Sequence, residues 1–179
     1  MGNDCLVSVD GVNFEITKPY PYDREWSRRW FSPKFKGPGV RYEIALCILT
    51  GDIVWVNGPF ACGQWSDWKI FSEGGLASNL DPNERVEADD GYEHGDPQLV
   101  KSRSGIFHGG PGIRNRVRAR QETVNKRLKQ FNVLSSVFRH GALKHGVVLE
   151  TVAVLTQLSF RRGEGLFQID NNDYYYETY

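Results

Sequence analysis

Three carboxylate positions, the second of them a pair, carry the chemistry this sequence offers. Asp10 closes the run LVSVD ahead of Gly11, Asp89 and Asp90 follow VEA ahead of Gly91 and Tyr92, and Glu122 sits in the basic run RARQETVNKRLKQF. Two acids at strand ends and one on a helix make an oxygen-only donor set of the kind that holds two divalent cations for phosphoryl transfer. Mg2+ or Mn2+ suits such a set, and two ions about 4 Å apart activate the attacking oxygen and neutralise the leaving one. Zinc is not indicated, because the three Cys and four His fall at no ligand spacing. Each acid also has an ordinary reading. Asp10 is a turn aspartate before glycine, Asp89 and Asp90 lead into the turn at Gly91 in a similar way, and Glu122 has Lys126 one turn on as a surface partner.

Charge distribution adds a second signal. Residues 101–145 hold eleven Lys and Arg against one acid, Glu122, in a chain of zero formal net charge, so an equal acidic excess lies elsewhere. A basic lobe beside an acidic one suits a polyanion drawn in by one surface and cations held by another. Arg114, Arg116, Arg118, Lys126 and Lys129 are the phosphate-contact candidates. The segment 18–39, dense in proline, interleaves Arg28, Arg29, Lys34 and Lys36 with aromatics and can meet a nucleic-acid backbone and its bases.

The elements that must position these groups read as an α/β layered domain. Residues 6–10 alternate as a short strand that turns at Gly11. Strands at 41–49 and 53–57 form a hairpin through Thr50, Gly51 and Asp52. Both are apolar on both faces, so the sheet is covered on each side. Ser66 as N-cap and Asp67 in the first turn start a helix that Gly74 and Gly75 interrupt, and 84–89 is the next strand. The segment 18–39 reads as a long irregular loop, and 93–113 as a mobile loop facing substrate. Val117, Gln121, Val124, Leu128 and Phe131 mark an amphipathic helix over 115–131. On its wheel Glu122 shares a face with Arg118, Asn125, Lys126 and Lys129. Residues 143–160 read as a buried helix, too short to span a bilayer. One domain over 1–162 and a polar, frayed tail over 163–179 are expected. An odd cysteine count and the lack of an apolar leader point to a soluble intracellular chain.

With these blocks in order, VDG, KFKGPGVRYE into the Gly-Asp hairpin, GPFACGQWSD, VEADDGY and RARQETVNKRLKQF, residues 5–160 resemble the DDE superfamily endonuclease domain of Harbinger and IS-type transposases. The resemblance implies an RNase H-like fold, a mixed sheet flanked by helices, with Asp10, Asp89 and Glu122 binding two Mg2+ or Mn2+ to cut DNA and transfer the strand. It aligns Asp89 with the family's second acid and puts Asp90 at a variable place. It also implies a nuclear location. The chain opens just before the first catalytic strand, so the family's upstream DNA-binding helices are expected to come from a separate partner protein, or the chain is a fragment. A homo-oligomer is compatible. The competing expectation is a non-catalytic nucleic-acid- or partner-binding protein derived from a transposase fragment. In the enzyme reading, the strands ending at Asp10 and Asp89 are neighbours with both carboxylates at one sheet edge, and the 115–131 helix turns Glu122 inward.

Overall fold

A computed structural model describes residues 5–18, 20, 21, 23–89, 91, 92, 98–100 and 110–169. Asp90, most of the 93–113 loop and the tail beyond 169 lie outside the described residues. The fold is mixed α/β. Its main sheet takes the order β4 (Ile53–Ala61), β3 (Gly37–Cys47), β1 (Cys5–Glu15), β5 (Arg85–Ala88), β6 (Leu99–Val100). β1, β3 and β4 form an antiparallel meander, and β5 and β6 continue it in parallel with β1. A two-residue strand, β2 (Phe31–Ser32), pairs with the start of β3.

Strand alternation sorts the two faces. On β1, Val12 and Phe14 pack with Tyr42, Ile44 and Leu46 of β3 against α4 (Gly110–Leu128) and α6 (Ala142–Arg161). Val9 points the other way, into a cluster with Val86 and Ala88 of β5, Phe71 of α2 (Asp67–Glu73) and Leu76 of α3 (Leu76–Asn79). Helices therefore flank both faces, as expected for strands apolar on both sides. Ser8 and Asp10 share the α4 face with Val12 and Phe14, so that stripe of β1 changes from polar to apolar along the strand. No described helix is long and apolar enough to cross a membrane.

Several elements differ from the reading of the sequence. β1 does not turn at Gly11: it stays paired with β3 as far as Glu15 opposite Gly39, because Val12 and Phe14 bury on the same face. The segment 18–39 is not irregular throughout, since it holds α1 (Arg24–Trp30), capped by the Asp23 side chain accepting from Trp26 N at 2.9 Å, and then β2. Trp26 and Trp30, one turn apart, stack at 5.7 Å on the main core. α4 begins at Gly110 rather than 115. α6 is not buried all round, because Leu143, Val147, Val154, Leu155 and Leu158 face outward. After α5 (Asn132–Ser135) and α6, the tail is not frayed where it is described: Leu166 and Ile169 are buried.

Candidate functional site

Parallel pairing of β1 with β5 sets Val9 opposite Ala88. Asp10 and Asp89, each the next residue along, therefore come side by side where β5 ends, although β1 itself runs on past Asp10 to Glu15 instead of ending there as the sequence suggested. Each is held from within the fold. Asn125 of α4 donates its Nδ2 to Asp10 Oδ2 at 2.6 Å, and the backbone N–H of Gly91 donates to Asp89 Oδ1 at 2.8 Å. Burial, then the neighbouring charges of Asp89 and Asp67, push the Asp10 carboxyl up to about 6, while the Gly11 amide and Asn125 oppose the rise.

The two acids open onto a cavity of about 290 Å3 whose walls also carry Glu87, Arg118, Gln121 and Glu122. α4 supplies the last three. Gln121 is buried, accepting from Ser8 Oγ at 3.0 Å and donating to Ile44 O at 3.1 Å, and so fixes the height of α4 over β1. One turn further on, Asn125 reaches Asp10. Glu122 lies between them on the outer side: its side chain is 71% exposed, with Lys126 Nζ at 4.0 Å. All three acids singled out in the sequence thus share one cavity, but Glu122 stands on its rim and Asn125 is the α4 residue in contact with Asp10.

A fourth acid, Asp67, which in the sequence is only a first-turn charge of a helix, also reaches this region. It opens α2 directly after its N-cap Ser66, and its carboxylate lies over β1 so closely that a Cβ on Gly11 would stand 1.9 Å from Oδ1. A Cβ on Gly91 would lie 3.5 Å from Asp67 Oδ2 and 2.9 Å from Asp89 Oδ1. The glycines after Asp10 and near Asp89 therefore make room for acids from both sides. Arg41 Nη1 stands 3.4 Å from Asp67 Oδ1, an ion pair without hydrogen-bond geometry that leaves Oδ1 buried and unbonded. Arg41 is itself fixed by Asn13 Oδ1 at 2.9 Å and Trp65 O at 3.0 Å. Burial raises the Asp67 carboxyl, Arg41 opposes the rise and Asp89 adds to it. Nothing in the local spacing distinguishes Asp67 from an ordinary first-turn acid, because its role depends on the approach of α2 to β1.

Glu87 is buried beside the cavity, and its Oε1 accepts from Nε of both Arg114 and Arg118 at 3.2 Å. Burial still holds its carboxyl above the usual range against both guanidiniums. The phosphate-contact candidates accordingly divide. Arg114 is buried on Glu87 and Ala88 O, and Arg116 donates to Gln168 O. Arg118 binds Glu87 at the cavity wall, Lys126 is exposed beside Glu122, and Lys129 lies half-buried over the Phe14 ring at 5.4 Å.

The donor chemistry where β5 ends suits a hard divalent cation: two mutually repelling aspartates, with the Oδ1 of Asn125 buried and unbonded beside them. Among the described residues, however, no three His, Cys, Asp or Glu side chains are grouped as a metal site. No protein-family model, no curated protein and no solved structure matches the chain.

Proposed function

We propose that the chain is a metal-dependent DNA endonuclease or strand-transfer domain of the DDE type, RNase H-like in fold. The observation that carries this reading is the parallel β1/β5 pairing, which brings Asp10 and Asp89 side by side where β5 ends, at a cavity that Glu122 also lines. The mixed sheet with helices on both faces is the architecture this reading calls for. Asp10 and Asp89 would hold Mg2+ or Mn2+, with Glu122 as the third carboxylate, and the ions would supply an activated oxygen nucleophile and charge neutralisation at the leaving oxygen. Asn125 orients Asp10 by its amide, and Gly91 N–H orients Asp89. Arg118, at the cavity wall, offers a cation to a phosphate.

The test is nicking of supercoiled plasmid DNA by the purified chain. Cleavage is expected with Mg2+ or Mn2+, and is expected to disappear with a chelator and in Asp10→Asn and Asp89→Asn. Cleavage that survives both substitutions would remove this site from the reaction. A second reading, a nucleic-acid-binding protein without cleavage, is favoured by the exposure of Glu122 and its position beside Lys126. DNA binding with no metal-dependent nicking would select it.

A further inference from the structure

Most cations of α4 are engaged inside the fold, so positive surface for a nucleic acid has to come in part from elsewhere. The segment 24–36 carries Arg24, Arg28, Arg29, Lys34 and Lys36 against the single acid Glu25. All five cations are exposed, and none forms an ion pair with a described carboxylate. Arg24, Ser27 and Arg28 fall on one face of α1 and line an open groove of about 600 Å3. Phe31, 44% exposed, and Pro33 complete its outer side, and Cys62 and Gly63 back it.

The groove is built on a rigid support. Gly63 N–H donates to Arg29 O at 3.0 Å, and a Cβ on Gly63 would lie 2.4 Å from Arg28 O, so the chain after β4 sits directly on α1. The Trp26–Trp30 stack fixes the helix against the core. The back wall of the groove leads on to Asp67: the chain runs from Cys62 and Gly63 through Trp65, whose carbonyl accepts from Arg41 Nη1, into α2, and Arg41 pairs with Asp67.

We infer that the α1–β2 segment is a docking track for single-stranded DNA, with phosphates on Arg24 and Arg28 and an unstacked base against Phe31. An exposed ring between cations is the combination that binds single strands, whose bases have free faces, and a duplex offers no such face. The inference rests on the nucleic-acid part of the proposed function and not on cleavage. Binding of a fluorescein-labelled oligothymidine, read by anisotropy in chelator over a range of salt, tests it without any nicking. Arg24→Ala with Arg28→Ala is expected to flatten the slope of log affinity against log salt by about 1.4, two phosphates' worth for a single strand. Phe31→Ala is expected to weaken binding about ten-fold with the slope unchanged. All three residues are exposed, so melting temperatures should stay at the parent's. A parent that does not bind, an unchanged slope in the double variant, or parent affinity in Phe31→Ala overturns the track. Loss of the nuclease reading alone would show as absent plasmid nicking with this binding intact.

Discussion

Asn125 on α4 donates its side-chain amide to Asp10 on β1 at 2.6 Å, while Glu122, three positions earlier on the same helix, stays on the cavity rim. The contact ties the helix to the strand at the acid itself, and Asn125 Oδ1 remains buried without a partner. A ligand's hydrogen-bond partner typically changes metal affinity by about 10–100-fold when removed. Asn125→Ala should therefore raise by at least about ten-fold the Mg2+ concentration at which Tm begins to climb. The same onset concentration in parent and variant would leave Asn125 with a purely structural role.

Asp67 and Gly11 form a pair that can be tested without reference to catalysis. A methyl group at Gly11 would overlap the Asp67 carboxylate, so Gly11→Ala must displace α2 or the acid. Overpacking of this kind costs about 1–3 kcal/mol. In an Asp67→Ala background the space is empty and the penalty should shrink, giving a coupling of at least about 1 kcal/mol in a double-mutant cycle. Additive effects would place the carboxylate away from Gly11 in solution.

The parts of the fold that depend on local pattern were legible in the sequence. The β3–β4 hairpin follows from two apolar runs around Gly51, which adopts φ 78°, and α2 follows from Ser66 as a cap. That Asp10 and Asp89 are neighbours was legible as acids on two pairing strands, but β1 runs on past Asp10 to Glu15, so only Asp89 stands at a strand end. What the pattern hid are relations set by distant segments. Gly11 reads as a turn, yet it is a flat strand residue bared for Asp67. The arginine run reads as a basic lobe for phosphate, yet Arg116, Arg120 and Arg127 reach carbonyls of Gln168, Phe167 and Glu164 and bind the following tail. α6 reads as buried because its apolar residues surround it, and only packing shows which of them face out.

Glu43 on β3 should make stability depend on pH. It is 1% exposed, its Oε2 accepts from Trp55 Nε1 at 3.1 Å, and its Oε1 has no partner. Burial pushes its carboxyl up to about 8 from 4.5, Trp55 opposes the rise and Asp67 adds to it. Between those values the folded chain holds a proton that the unfolded chain has released, so stability falls as pH rises through this window and levels off above it. Glu43→Gln should flatten the Tm profile between about pH 5 and 8. Trp55 fluorescence should change near pH 8 in the parent only, and a Trp55→Phe control should lose that change. A parent profile flat across the window would mean that water reaches this carboxyl.

Arg120 should decide whether the chain after α6 is bound to the domain. It is 2% exposed, its Nη1 and Nη2 donate to Ile48 O and Phe167 O at 2.6 Å each, and its guanidinium lies 5.6 Å from the Phe167 ring centre. The hydrogen bonds cross from β3's end to the tail through one planar group, which a lysine ammonium cannot copy. Arg120→Met keeps the bulk but leaves both carbonyls without their charged donor, at a cost of about 3 kcal/mol. Arg120→Lys, able to reach one carbonyl, should fall between parent and Met. The distinguishing readout is hydrogen exchange at residues 164–169, where Leu166 and Ile169 are buried. Exchange there should accelerate more than in β3 in both variants. Destabilisation without preferential exchange in that segment would show that Arg120 supports the sheet and leaves the tail to hold itself.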